Sequence, residues 1–494
     1  MKKTIILSLF GFLFSAMLMA QDKTAAKDGY AISVKIKNSD AKELYLGFHY
    51  DNNKYVRDTA KSTKPGEFVF KGDKALEHGL YIIVLPNMNM FDFIVDDNQH
   101  FSIETDTLSL VGSAKIKGHE LNAAFFKFMD NAGKKQYEMI KARKRIDALG
   151  KEADSSKTYQ ARIEGWQKEI ETEEAALVKQ FPNSLPAHLF KASKDVPHNM
   201  TLKTQEDSTN AYYFTVNHYW DNFEWSDGGL ARTPVLSDRL TTFFDKIVLK
   251  IPDTLINYTD KVISMSKANR ENFKYTVQFL YKYYANSKLM CIENCFVHVA
   301  KNYYNKENAW WADSTTLAKI AERVKSMEPT LCGKIAPDLS LPDTSGQNFF
   351  RLSKFEAEYT LLVFWDPGCG HCQKEIPRLQ HLYDSTLAAQ GMKIFGVCTK
   401  RNLKDLKEFL QSKKISFLNT LVTDDMAKNP SKYIYDYKIS DLQSMNLHLT
   451  YDISSTPLIL ILDKNKKIIG RKLGAEDIVG FLQRYKLQQA QKKS

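Results

Sequence analysis

Cysteine is missing from the first 290 residues of this 494-residue chain, and all six copies fall between positions 291 and 398. That gap excludes a disulfide-stapled scaffold or a cysteine metal site in the N-terminal half, and it leaves no N-terminal thiol to carry a lipid. Long apolar runs are missing too. Beyond residue 20 nothing approaches the 18 or more consecutive apolar residues of a membrane helix. The charge lacks focus: 69 Lys and Arg against 58 Asp and Glu give a formal +11, yet the excess is scattered lysine with no compact Arg-rich patch. This describes a solvated basic surface and argues against a nucleic-acid partner.

Residues 1–20, "MKKTIILSLFGFLFSAMLMA", combine a two-lysine n-region, an apolar h-region from Ile5 to Met19 and Ala20 before the expected cut. Together they describe a secretory signal peptide, with an uncleaved membrane anchor as the alternative. The expectation is a soluble exported protein of the periplasm.

Hydrophobic periodicity divides the rest into three. Over residues 29–117 the period is two: "YAISVKI" alternates Ile32, Val34 and Ile36 with polar partners, and short runs such as "GEFVF" and "GLYIIVLP" follow between turn signals. An all-β sandwich is expected, and nothing chemical converges there; His49 and His100 are lone residues. Over residues 119–330 the period becomes helical, with stripes Met139, Ala142, Ile146, Leu149 and Ile163, Trp166, Ile170, Leu177 forming a helical hairpin. Dense aromatic stretches further on, such as "HYWDNFEW", read as core. Cys291 and Cys295 lie four apart on an expected helix and are read as buried structural thiols. A disulfide to Cys332 or a metal site are the alternatives. Residues 332–490 alternate strands and helices and end in a strand hairpin and a helix. That order predicts an α/β domain with a mixed sheet and helices on both faces.

The chemistry concentrates in "FWDPGCGHCQKEIP", where Cys369 and Cys372 follow an apolar strand and open a helix. A sulfur at a helix N-terminus meets unpaired peptide N–H groups and the positive end of the helix dipole. Such settings lower a thiol pKa from about 8.5 to about 3.5–7.5. Cys369 is therefore the expected nucleophile and Cys372, one turn on, the resolving thiol. Cys398, at the end of the following strand, is read as a small apolar filler.

With these features, the region resembles the thioredoxin superfamily, and in particular the exported TlpA/ResA-like thiol–disulfide oxidoreductases. The match rests on "LLVFWDPGCGHCQKEIP", with Pro377 five residues after Cys372, and on "YDISSTPLILILDKNKKII", which carries the cis-proline position Pro457 after Thr456. The resemblance implies that Thr456 and Pro457 bind the substrate segment, that no cofactor or metal is needed, and that disulfide-containing client proteins are reduced with electrons from a membrane thiol-transfer protein. Gly370, His371 and Glu375 are the expected redox-tuning residues. The CGHC dipeptide is that of protein disulfide isomerase, near about −180 mV against about −270 mV for thioredoxin, so an oxidase or isomerase is the alternative direction. Two departures stand out. Val363 replaces the buried acid of thioredoxin, leaving Asp366 or Glu375 as proton acceptor, and Gly368 replaces the usual aromatic before the first cysteine, which opens the rim. A peroxiredoxin is disfavoured because "WDPGCGHC" lacks the threonine of its peroxidatic motif; a non-enzymatic binding protein using the N-terminal domains is the remaining rival.

Overall fold

In the computed structural model, residues 29–50, 53–150, 154–197 and 200–491 are described, and the expected signal peptide at 1–20 lies outside them. The chain forms two compact units, divided after Lys194, with Gly228–Val235 returning to the first. Among the described residues no helix is long and apolar enough to cross a membrane.

The first unit opens with strands β1 (Tyr30–Lys37), β2 (Glu43–Tyr50), β3 (Asn53–Lys61), β4 (Glu67–Gly72), β5 (Gly79–Val84), β6 (Met90–Val95), β7 (His100–Asp106) and β8 (Lys115–Lys117). They make two four-stranded sheets, ordered β4-β1-β7-β8 and β3-β2-β5-β6. Because side chains alternate along a strand, β1 sends Ile32, Val34 and Ile36 to one face, where they share a core with Leu44 and Leu46 of β2 and Phe91 and Phe93 of β6. This is the expected sandwich. Helices α1 (Glu120–Leu149), α2 (Asp154–Gln180) and α3 (Leu185–Ala192) follow. The seam between α1 and α2 is built from Met139, Ala142 and Ile163, flanked by Ile146, Trp166 and Ile170. Leu149, expected in that seam, is instead exposed at the last residue of α1.

The second unit carries the remaining helices, α4 (Gln205–His218), α5 (Pro234–Thr242, which starts at the division), α6 (Pro252–Ser266), α7 (Arg270–Asn286), α8 (Glu293–Tyr303) and α9 (Ser314–Met327). Trp220, Phe223 and Trp225 are buried ring against ring, as core. A small hairpin, β9 (Ser340–Pro342) and β10 (Phe349–Arg351), leads into β11 (Tyr359–Trp365), α10 (Gly370–Leu382), β12 (Met392–Cys398), α11 (Leu403–Ser412) and β13 (Leu418–Leu421). Short helices α12 (Asp424–Lys428), α13 (Leu442–Met445) and α14 (Leu447–Thr450) then precede β14 (Leu458–Asp463), β15 (Ile468–Arg471) and α15 (Ala475–Gln491). The five-stranded sheet runs β13-β12-β11-β14-β15; β11, β12 and β13 are parallel, and β14 and β15 antiparallel to their neighbours. The long helices α10, α11 and α15 cover one face, while the other is covered by the β9–β10 hairpin and the short helices through Leu341, Met426 and Leu447.

Of the two cysteines expected as buried structural thiols, Cys291 corrects the expectation and Cys295 meets it. Cys291 lies in the turn before α8 at φ +60°, a left-handed conformation that ends any regular helical spacing, and its sulfur is bonded to Cys332. The disulfide alternative therefore holds for Cys291, and the metal alternative falls with its thiol. Cys295, on α8, is a free buried thiol whose pKa burial pushes up to about 12.

The bond spans a sequence separation of 41 residues. On loop entropy, a Cys291→Ser, Cys332→Ser variant should lose up to about 4 kcal/mol. The expected readout is a lower urea midpoint for the second unit with a somewhat steeper slope, since the unfolded chain without the cross-link exposes more surface.

Candidate active site

The position of the dithiol follows from β11, whose seven residues are all buried. Leu361, Val363 and Trp365 pack toward Ile376 and Leu379 of α10, and Leu362 and Phe364 toward the opposite layer. A strand covered on both faces reads as a continuous apolar run, which is what the sequence shows. Its last residue is pinned: the Trp365 indole N–H donates to Asn419 Oδ1 of β13 at 2.9 Å. Gly396 of β12 makes room for that acceptor, since a Cβ there would stand 2.5 Å from the same oxygen.

From this anchor the chain turns into α10. Gly368 N–H donates to Asp366 Oδ1 at 2.8 Å and Cys369 N–H to the Asp366 carbonyl at 3.0 Å. Cys369 is the N-cap residue of α10, in an extended conformation that turns its side chain back over the helix start. Pro377, inside the helix, lacks the N–H that would bond the carbonyl of Gln373. The second wall comes from β14. Leu458 pairs with Phe364, so the residues just before it arrive beside the loop, and the Thr456–Pro457 peptide there is cis. The Cys369 thiol donates to the Thr456 carbonyl at 3.2 Å.

The two sulfurs sit in opposed environments. Cys369 is half-buried, and its pKa is held below the ordinary thiol value, first by the Thr456 side chain and then by the backbone N–H of Cys372, with the His371 N–H adding to it. Cys372 is fully buried, and burial pushes its pKa up to about 11, against hydrogen bonds from the Asp366 backbone and the Thr456 side chain. Cys398 pairs in register with Trp365 and is likewise pushed up to about 12 by burial.

Three comparisons with known proteins found similar sequences and structures. The AhpC/TSA family matches residues 332–470, while residues 30–125 and 156–328 match two domains of unknown function, DUF4369 and DUF5106. The thiol-disulfide oxidoreductase ResA of Geobacillus thermodenitrificans is 26% identical over 157 residues, covering 31% of this chain and 78% of the relative. ResA of Bacillus subtilis is 25% identical over 137 residues, covering 28% and 64%. Among solved structures, a domain of a possible thiol-disulfide isomerase from Cytophaga hutchinsonii is 33% identical, covering 34% of this chain and 99% of that one, with a TM-score of 0.28. The C-terminal region carries a thioredoxin-like AhpC/TSA domain and has ResA-type thiol–disulfide oxidoreductases among its relatives.

Within this oxidoreductase domain, the residues singled out from sequence separate into two groups. Cys369, Cys372, Thr456 and Pro457 come together. His371 is exposed and reaches the Cys369 sulfur through its backbone N–H, and Gly370 faces open space, since nothing stands within 4 Å of where its Cβ would be. Glu375 is engaged elsewhere: Oε2 accepts from the Ala475 N–H at the start of α15 at 3.3 Å and Oε1 from Arg378 at 2.9 Å. The Thr456 side chain beside Cys369 is the contribution that the sequence did not suggest, since the resemblance assigned that residue only to binding the substrate segment. A hydroxyl immediately before the cis-proline position was the available signal.

Alkylation by iodoacetamide should therefore follow a single titration of Cys369 with a midpoint below that of a free cysteine, while Cys372 stays unreactive until far higher pH. Thr456→Val should raise that midpoint, and Thr456→Ser should restore it.

Proposed function

We propose that the protein is an exported, periplasmic enzyme that reduces disulfides in client proteins. The observation that carries the exchange chemistry is geometric: Cys369 is half-buried at the start of α10 beside the cis Thr456–Pro457 peptide, with Cys372 fully buried one turn behind it. The reducing direction follows from the similarity to ResA. The Cys369 thiolate attacks a client disulfide, expelling one client thiolate and forming a mixed disulfide. Cys372 then loses its proton, attacks Cys369 Sγ and releases the second client thiol, so the client gains the two electrons the dithiol loses. Thr456 and Pro457 hold the client segment by strand addition. Gly370 and His371 tune the poise. Asp366 is taken as the proton acceptor: it stands in the loop beside Cys372, with Oδ1 accepting from the Gly368 N–H, while Glu375 is committed to the start of α15. A membrane thiol-transfer protein supplies electrons, and residues 29–117, 119–330 and 332–490 act as sandwich, helical and redox domains behind a cleaved signal at 1–20.

The lowered Cys369 pKa also favours the reduced form, which suits an oxidase or isomerase. Equilibration with glutathione separates the two directions: a potential near about −270 mV fits reduction and one near about −180 mV fits oxidation or isomerisation.

Insulin reduction driven by dithiothreitol should fall to the uncatalysed rate in Cys369→Ala, whereas a plain binding protein would match its variant. Cys372→Ala should accumulate mixed disulfides with clients on Cys369, visible on non-reducing gels. Asp366→Asn, which keeps the acceptor for Gly368 N–H, should slow release of the mixed disulfide by about a hundredfold while leaving its formation little changed.

A further inference from the structure

Beside the cis-proline loop lies a polar cavity of about 260 Å³, lined by Pro457 with Ser454, Ser455, Arg471, Lys472 and, from α9, Arg323. Its charges are layered. Asp452 is buried, with Oδ1 accepting from Arg323 Nη1 at 2.5 Å and from Ser326 Oγ at 3.2 Å, and with Oδ2 3.7 Å from Arg471 Nη2. Glu293 of α8 is buried too, 2.8 Å from Lys472 Nζ and 4.0 Å from Arg471 Nε. Arg471 is fully buried, donates to the Thr330 carbonyl at 2.9 Å, and leaves its Nε without a hydrogen-bond partner. Three cations thus face two carboxylates. Both carboxylates and Arg471 are buried, whereas Arg323 and Lys472 keep 43% and 54% of their side chains exposed. Glu476, the acid beside the lining residue Gly474, does not itself line the cavity. What reaches solvent is therefore a guanidinium, an ammonium and two serine hydroxyls, a donor set suited to a carboxylate.

We propose that this cavity is a client subsite that seats an Asp or Glu side chain close to the disulfide being exchanged, and that Arg323 gives the helical segment ahead of the redox domain a direct part in choosing clients. This rests on the exchange reading above. A segment extended along the cis-proline loop advances about 3.3 Å per residue and points alternate side chains the same way, so the acid sits about two residues from the client cysteine.

The test uses peptides carrying one cysteine activated as its 2-pyridyl disulfide, with Glu or Gln two residues to either side. Cys369 attacks the peptide sulfur and expels 2-thiopyridone. Cys372 then displaces the peptide thiol, leaving the Cys369–Cys372 disulfide, so the two electrons lost by the dithiol pass to the peptide disulfide. The reduced full-length protein should favour the better Glu peptide over its Gln counterpart by about three- to fivefold at low salt, with the preference shrinking as salt rises. Arg323→Glu should bring the ratio to one or below, Arg323→Lys should keep most of it, and Lys472→Gln, which touches neither Asp452 nor Arg471, should lower it partway. A purely structural role for the cluster would slow both peptides alike and leave the ratio unmoved. A wild-type ratio of one, or a ratio moved by neither Arg323→Glu nor Lys472→Gln, overturns the subsite alone; no reaction with either peptide overturns the exchange reading itself.

Discussion

The arrangement of the C-terminal unit depends on how one sulfur is solvated by protein. At the mouth of α10 the water that would stabilise a thiolate is replaced by the N–H groups of Cys372 and His371 and by the side chain of Thr456. These donors converge only if the strand end, the helix start and the loop before β14 are held in register. The buried Trp365–Asn419 bond fixes the strand end, and the pairing of Phe364 with Leu458 fixes the loop. Displacing any of these would remove donors from Cys369, and each pKa unit lost corresponds to about 1.4 kcal/mol of anion stabilisation. The same packing that presents one sulfur sequesters the other: Cys372 pays for the core position of α10 with a proton it gives up reluctantly.

Which features were legible from sequence follows from the range of the interactions that make them. Ile32, Val34 and Ile36 announce a sandwich strand because alternation is local, and Cys369 announces a reactive thiol because strand, C-x-x-C and helix are consecutive. Thr456 and Pro457 were legible only through the resemblance, since they lie more than 80 residues away in the chain. The Cys291–Cys332 bond was open among three readings, because a left-handed residue at Cys291 leaves no trace in hydrophobic periodicity. The layered cluster of Arg323, Asp452, Arg471 and Glu293 was invisible: its members come from α8, α9, β15 and the loop before β14, and each looks like an ordinary surface charge alone. Leu149 failed for the opposite reason. Its periodicity was sound, but a helix end leaves its last apolar residue with less to pack against.

The charges buried between the helical segment and the sheet are an inefficient way to gain stability. Desolvating Arg471, Glu293 and Asp452 costs several kcal/mol per ion, and apolar residues of similar volume would serve as well or better. Ion pairs do something apolar packing does not: they fix orientation, because each guanidinium must meet its own carboxylate. α8 and α9 are thereby held in one alignment on β15 and the cis-proline loop, with the Cys291–Cys332 bond as a covalent tie to the same edge.

That covalent tie creates a hazard in a domain built to exchange disulfides. A thiolate cleaves a disulfide by approaching along the S–S axis, so protection comes from denying access as well as from bond strength. Cys291 is 7% exposed, and its sulfur lies against the backbone of β15, 3.9 Å from the Ile469 carbonyl. Burial of Cys291 thus closes one of the bond's two sulfurs to a thiolate, while its partner Cys332 is half-buried. The contrast between the two pairs lies in their surroundings: Cys369 is left half-buried among hydrogen-bond donors, whereas Cys291 is closed in against β15 and holds the half-buried Cys332.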